Sequence, residues 1–170
     1  MFYNLTRMEK WITDEYVKSN IYTPEDINIE RLAHIYNVTV WKFPMEARYD
    51  IFDNKKYIVI DSRSSFKEQR EQFFHELCHV LFHVGHQSEM NESFRELLEW
   101  EADSFVMYAA LPYFMLKQCN LSSEYLVHDL SIKFGVTAEL CQRRLEQIKN
   151  RIQSNSTLVA ESSLAYNVFR

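Results

Sequence analysis

Glycine and proline are scarce in this sequence, with two glycines and three prolines among 170 residues. Turns are built mainly from these residues, so their scarcity argues against a loop-rich all-β fold and favours helices. Disorder is excluded as well, because 46% of the residues are hydrophobic and 15% are aromatic. A chain of this length forms one domain with a sizeable core.

Cysteines and basic residues are also few. The three cysteines, Cys78, Cys119 and Cys141, are odd in number and scattered, which argues against a disulfide framework and indicates reduced thiols. The net charge of −5 gives no broad basic surface for nucleic acid. There is no signal peptide, and no apolar run reaches the roughly 18 residues that a membrane span needs. We therefore expect a soluble cytoplasmic protein that does not enter a membrane.

Hydrophobic periodicity predicts an α+β fold that is mainly helical. The expected helices cover residues 3–20, 26–36, 65–84, 92–111, 113–118, 123–133 and 138–151. The expected strands cover residues 38–43, 48–52 and 57–60, with a connection longer than a two-residue hairpin between the last two. They should form a small, mostly antiparallel sheet packed on the 65–84 helix.

The same patterns predict the domain organisation. Residues 1–152 should form a single domain, with a core of 25–120 and a C-terminal helical part of 121–152. Residues 153–170 are rich in serine and asparagine and should form a mobile tail. Gly85 suits the C-terminal cap of the 65–84 helix.

The motif H-E-x-x-H lies in the middle of that helix, at His75, Glu76 and His79. Residues four apart lie about 6 Å apart along the axis and project from the same face, so both histidines can bind one metal ion. Glu76 lies beside them, where a carboxylate can accept a proton from water. A catalytic zinc needs three protein ligands and one open position, so the chain must supply a third ligand elsewhere.

The predicted 92–111 helix offers two carboxylates as third ligand, Glu99 and Glu101. Two residues apart, they point about 200° from each other, so only one can face the metal. Asp103 follows Glu99 by four residues on the same face, and it can steady a ligand histidine through the second ring nitrogen. This E-x-x-x-D spacing also occurs in thermolysin-like peptidases and favours Glu99. The metzincin alternative fails because its third histidine would fall on Gly85.

Other residues of the motif region keep two interpretations. His83 follows His79 by one turn, so it either lines the site or lies behind the ligands and supports them, or it serves only in packing and helix capping. An oxyanion formed during amide hydrolysis also needs a hydrogen-bond donor, and His83, His128 or a tyrosine would serve.

The predicted helices 123–133 and 138–151 have the spacing of a helix-turn-helix, separated by Gly135, Val136 and Thr137. Five basic residues lie in this region: Lys133, Arg143, Arg144, Lys149 and Arg151. One interpretation is DNA binding, and the other is a helix pair packed on the catalytic core. The acidic chain favours packing, so direct DNA binding is not expected.

Three segments together resemble the ImmA/IrrE family of metallopeptidases. They are the strand 57–60 leading into Q-F-F-H-E-L-C-H-V-L-F-H at 72–83, the segment E-W-E-A-D-S-F at 99–105, and A-L-P at 110–112. The resemblance covers roughly residues 25–150 and places the family's motif glutamate at Glu99. Cys78 stands where glycine is common, and Val106 where a small residue is usual, which bears on packing only.

The resemblance implies a zincin-like endopeptidase that uses Zn²⁺ and belongs to bacteria and their mobile elements. Such proteins inactivate a helix-turn-helix transcriptional repressor, often by cutting it, and thereby derepress prophage, mobile-element or stress genes. A competing hypothesis is an antirepressor that sequesters its repressor without cleavage around a structural metal. A third is a transcription regulator that binds DNA through residues 123–151.

Overall fold

The computed structural model describes residues 3–83, 91–121 and 123–168, with side chains described as far as Ser154. The helices are α1 Arg7–Lys18, a 3-10 turn Pro24–Asp26, α2 Ile29–Ile35, α3 Phe66–Phe82, α4 Glu92–Ala110, α5 Tyr113–Leu116, α6 Leu126–Phe134 and α7 Ala138–Val168. The strands are β1 Val38–Phe43, β2 Arg48–Phe52 and β3 Lys55–Asp61. The predicted α+β class is confirmed, whereas Val84 and the proposed cap Gly85 lie outside the described residues.

Local capping chemistry fixes where the two site helices begin. The side-chain oxygen of Ser65 accepts the backbone N–H of Glu68, and the Glu68 carboxylate accepts the N–H of Ser65, which completes a capping box at the start of α3. Asn91 caps α4 by accepting the backbone N–H of Phe94 at 2.8 Å.

The sheet is mixed, which corrects the expectation of a mostly antiparallel one. Its strand order is β1-β3-β2, with β1 parallel to β3 and β2 antiparallel to β3. The expectation assumed that strands adjacent in sequence also pair. Instead, β3 inserts between β1 and β2. The chain reverses its direction between β1 and β2 and again between β2 and β3, so β3 runs parallel to β1.

The turn between β2 and β3 is also shorter than predicted. Phe52 pairs with Lys55, so Asp53 and Asn54 alone make the connection. Both have positive φ, 50° and 57°. Two such residues form the tight hairpin turn whose twist matches that of the flanking strands, and asparagine and aspartate tolerate it best among side chains other than glycine.

Helix α3 lies at the centre of the molecule, between the sheet and α4. Ile58 and Ile60 of β3 are fully buried on one side, and Ala102 of α4 is fully buried on the other. Phe73 and Leu77 of α3 are buried in the same core. Because α3 is covered on several sides, the motif histidines also lie next to the core.

The C-terminal helices pack on this core. Leu130 and Phe134 of α6 and Leu140 of α7 belong to the same buried cluster as α3. Gly135, with φ of 64°, ends α6, and the Thr137 hydroxyl accepts the N–H of Leu140 at 3.1 Å at the start of α7. Helix α7 runs to Val168, so the predicted end near residue 151 is wrong, while the mobility of 153–170 stays a prediction.

Candidate metal centre

Two histidine side chains of α3 and a carboxylate of α4 converge on one point. His75 Nε2 lies 3.2 Å from His79 Nε2 and 3.0 Å from Glu99 Oε2, and His79 Nε2 lies 3.5 Å from Glu99 Oε1. The two histidines meet because they are one helical turn apart. Glu99 reaches them because α4 packs along α3, and this group of three residues could hold a metal ion.

The spacing of these donor atoms fits a zinc ion. Ligand atoms about 2.0–2.1 Å from a tetrahedral zinc lie about 3.3 Å from one another. The two nitrogens are 3.2 Å apart, and each lies near one carboxylate oxygen of Glu99, His75 Nε2 at 3.0 Å from Oε2 and His79 Nε2 at 3.5 Å from Oε1, so the separations lie around that value. Two imidazole nitrogens and one carboxylate would leave a fourth position on a tetrahedral metal for water or substrate. The Glu99 side chain is half exposed.

Asp103 lies behind His75, as its spacing from Glu99 predicted. Its Oδ1 is 3.4 Å from His75 Nδ1, the ring nitrogen that faces away from the triad. A carboxylate that accepts the Nδ1 proton of an imidazole would leave Nε2 free to bind a metal.

His83 occupies a place that both sequence interpretations had partly described. Its backbone N–H donates to the carbonyl of His79 at 3.1 Å, so it caps the end of α3. Its ring is buried against His79, with 2.6 Å between the two Nδ1 atoms, and its Nε2 lies 3.3 Å from Glu101 Oε2. His83 therefore lies behind His79, on the far side from the triad.

Glu76 is buried beside the triad, with 8% of its surface exposed. Burial raises the pKa of its carboxyl from 4.5 to about 7, the positive field of His75 opposes this rise, and the charge of Glu99 adds to it. The nearby backbone N–H of Tyr49 in β2 favours the ionised form of the same carboxylate and so opposes the rise in its pKa. A carboxyl group with a pKa near neutrality suits proton transfer.

Tyr49 is a site residue that the sequence analysis did not identify: it names a tyrosine as a candidate donor, but not which one. Its ring stacks on the ring of His79, with centroids 5.3 Å apart and planes inclined by 19°. Partial burial raises the pKa of its phenol, with contributions from the charges of Glu76 and Glu99. The sequence signal was a tyrosine on a strand, which by itself does not indicate an approach to the motif helix.

A cleft of about 240 Å³ opens next to His75 and Glu76, between α3, α4 and α7. Arg143 of α7 lines it and lies 3.9 Å from Asp103. His128, one of the candidate oxyanion donors, lines a different cleft with Lys67 on the face of α6.

The basic residues of the C-terminal pair do not form a common outer surface. Arg144 is completely buried and donates to Glu9 at 2.7 Å, and Arg151 donates to the other Glu9 oxygen at 2.8 Å. Arg143 faces the cleft described above. Because three of the five cations are turned toward acidic partners or the cleft, the pair lacks the continuous basic stripe that DNA binding requires.

Known proteins resemble this chain over most of its length. The model of Peptidase_M78, the IrrE N-terminal-like domain, matches residues 25–146. In Bacillus subtilis strain 168, the phage-like element PBSX protein XkdA is 32% identical over 149 residues, which cover 86% of this chain and 75% of XkdA. The uncharacterized protein YqaB of the same strain is 29% identical over 147 residues, covering 85% of this chain and 86% of YqaB.

A solved structure with a similar fold is that of a Mycobacterium tuberculosis transcriptional regulator, with a TM-score of 0.61 at 15% identity. The likeness covers 83% of this chain and 47% of the regulator, so this chain spans about half of the regulator's length. Among the described residues, no helix is long and apolar enough to cross a membrane.

Proposed function

The chain belongs to the family of the IrrE N-terminal-like domain, Peptidase_M78, and on this premise we propose that it is a zinc-dependent endopeptidase that cleaves a helix-turn-helix transcriptional repressor. Cleavage would derepress prophage, mobile-element or stress genes, and a repressor substrate places the enzyme in the cytoplasm. The observation that carries the proposal is the convergence of His75, His79 and Glu99 beside the buried carboxylate of Glu76.

The proposed chemistry is hydrolysis of a peptide bond, with Glu76 as general base and general acid. Zinc held by the triad would polarise the scissile carbonyl and lower the pKa of water. Glu76 accepts a proton from the attacking water and delivers it to the leaving amide nitrogen. In the metal-free protein its pKa is about 7, and a zinc ion beside it would favour the ionised form that accepts a proton from water.

Among the candidate donors for the oxyanion, we favour Tyr49. Both ring nitrogens of His83 already have partners, His79 and Glu101, on the far side from the triad. Tyr49 contacts the triad through its stacking on His79, and its raised pKa keeps the phenol protonated and able to donate.

Strand β2 offers a surface for the substrate backbone, because it is an outer strand of the sheet. Phe52 and Lys55 flank the two-residue turn as a hydrogen-bonded pair, so alternation directs the N–H and C=O groups of Tyr49 and Ile51 away from β3. The influence of the Tyr49 N–H on the Glu76 carboxylate agrees with this register, and it leaves the outward groups of Ile51 for a substrate. An extended peptide that adds to this edge would pass beside Glu76.

The substrate class follows from the family resemblance. ImmA/IrrE-type proteins act on helix-turn-helix repressors, and XkdA, the relative at 32% identity, is named as a protein of a phage-like element. We therefore propose the repressor of a prophage or mobile element as the protein substrate.

A second candidate function is sequestration of the repressor, with the metal in a structural role. Metal ligation by itself needs no base, so a structural site gives no reason to keep a carboxylate buried at 8% exposure with a raised pKa. The position of Glu76 therefore favours catalysis. Direct DNA binding is disfavoured by the inward-facing Arg144 and Arg151.

The test is incubation of the purified protein with the repressor encoded beside its gene, with and without chelator, read on a gel. We expect cleavage that needs zinc and is abolished in Glu76→Gln while the metal stays bound. His75→Ala and His79→Ala should lose the metal as well. The control is Glu96→Gln on the exposed surface of α4, which removes the same charge from a residue outside the triad.

Derepression in the cell separates the two candidate functions. Under the cleavage hypothesis, Glu76→Gln leaves the repressor intact and the genes silent. Wild-type derepression by Glu76→Gln would refute cleavage and support sequestration.

A further inference from the structure

The second ring nitrogens of the two triad histidines have different partners. His75 Nδ1 faces Asp103 of α4 directly, at 3.4 Å. His79 Nδ1 faces another imidazole, with 2.6 Å to His83 Nδ1, and His83 Nε2 continues to Glu101 of α4 at 3.3 Å. Each triad histidine is therefore connected to a carboxylate of α4, His75 directly and His79 through His83. We call these two series of contacts the arms of the site.

Helical geometry explains why Glu101 takes the second arm. At 100° per residue, Glu99 and Asp103 lie on one flank of the buried stripe through Ala102, and Glu101 lies on the other. His83 lies one turn beyond His79, at the end of α3, where its ring packs on the His79 ring with centroids 4.8 Å apart. The His83 side chain is 3% exposed and that of Glu101 is 42% exposed, so the arm runs from the interior to the surface.

In the arm of His79, the positions of the ring protons follow from the groups at its two ends, the metal and the Glu101 carboxylate. A histidine that binds a metal through Nε2 carries its single ring proton on Nδ1. That proton on His79 needs an acceptor, so Nδ1 of His83 must be unprotonated and the His83 proton must lie on Nε2. There it donates to the Glu101 carboxylate, which only accepts.

We propose that His83 and Glu101 are positioning residues that hold His79 in the tautomer and ring orientation required for metal binding. The inference rests on the proposed zinc site. It assigns to His83 and Glu101 the role toward His79 that Asp103 has toward His75, namely to orient the ligand histidine through its second ring nitrogen. Glu101, the alternative ligand by sequence, thus acts on the site without contacting the metal.

Zinc affinity, measured by competition with a chromogenic chelator, tests this proposal with three variants. His83→Leu removes the acceptor and should weaken zinc about 10–100-fold. His83→Asn places an amide oxygen near the position of Nδ1 and should restore affinity close to that of wild type. Glu101→Ala should weaken zinc about tenfold while one ion still binds at saturation.

The double variant supplies the sharpest readout. In the His83→Asn background the amide needs no partner to set a tautomer, so Glu101→Ala should cause no further loss. The visible absorption of the Co²⁺-substituted protein should change in His83→Leu and Glu101→Ala and match wild type in His83→Asn. Thermal unfolding of the metal-free variants shows that each is folded, and Glu96→Gln on α4 is the charge-matched control for Glu101.

Three results would overturn the proposal. One is wild-type zinc affinity in His83→Leu, and another is an equal effect of Glu101→Ala with His83 or Asn at position 83. The third is complete loss of metal in Glu101→Ala with metal retained in Glu99→Ala, which would make Glu101 the ligand. If His83→Leu does not fold, the Glu101→Ala comparison decides. A wild-type protein that binds no zinc would refute the proposed function itself, and this inference with it.

Discussion

Replacing Glu76 by glutamine should stabilise the metal-free protein, by an amount that depends on pH. Burial raises the pKa of Glu76 from 4.5 to about 7 in the folded state. The folded protein therefore holds this proton more tightly than the unfolded chain does. Between pH 4.5 and 7 the unfolded chain releases the proton first, so the free energy of unfolding falls as the pH rises.

The magnitude follows from the same pKa values. One pH unit corresponds to about 1.36 kcal/mol, so the rise from 4.5 to about 7 costs the folded state about 3 kcal/mol once the carboxylate is ionised. Below pH 4.5 both states are protonated and this cost is absent. Glutamine keeps the shape of the side chain without a charge, so it avoids the cost.

The assay is urea unfolding of wild-type and Glu76→Gln protein, both freed of metal by chelator, from pH 4 to pH 8.5. The two should have similar free energies of unfolding near pH 4 and differ by about 3 kcal/mol at pH 8, with the variant more stable. Glu96→Gln on exposed α4 controls for the loss of one negative charge. Zinc should reduce the difference, since a cation near the carboxylate favours its ionised form.

A difference in free energy of unfolding that does not depend on pH would refute this reasoning, because it would mean that ionising Glu76 does not destabilise the folded protein. A variant less stable than wild type at pH 8 would refute it too, since the carboxylate would then contribute more through its bonds than it loses by burial.

Further predictions concern ligands, stability and DNA. At saturating zinc, measured by atomic absorption, Glu99→Ala should lose the ion and Glu101→Ala should retain it; the reverse result would exchange their roles. Asp103→Ala should weaken zinc about 10–100-fold without eliminating it, by chelator competition. Arg144→Met should destabilise the protein by about 3 kcal/mol in urea unfolding, the lower end for breaking a buried ion pair, because Glu9 loses its closest cation but keeps Arg151; a change below 1 kcal/mol would contradict this. Gel shifts should detect no sequence-specific, salt-sensitive complex with duplex DNA.

Features that depend on neighbours in sequence could be predicted from the sequence. The i, i+4 spacing of His75 and His79 places both rings on one face of a helix, whatever the rest of the chain does. The spacing of Glu99 and Asp103 likewise selects one flank of α4, and the structure brings both next to His75. Whether these residues bind zinc and catalyse cleavage stays a prediction, although their convergence agrees with it.

Features that depend on chain crossings could not be predicted in this way. The insertion of β3 between its two neighbours made the sheet mixed, because pairing is decided by the buried faces of the strands and not by their order in sequence. The same holds for Tyr49, which reaches Glu76 only because β2 passes along α3.

Contacts between residues far apart in sequence were the hardest to predict. Arg144, one of the five basic residues of the C-terminal pair, is fully buried against Glu9, 135 residues away in sequence. His83 and Glu101 meet only because α4 packs along α3, and a helical wheel of either helix alone leaves both side chains without a partner. The sequence by itself therefore determined which face of each helix carries chemistry, and the packing of the helices determined which of those faces meet.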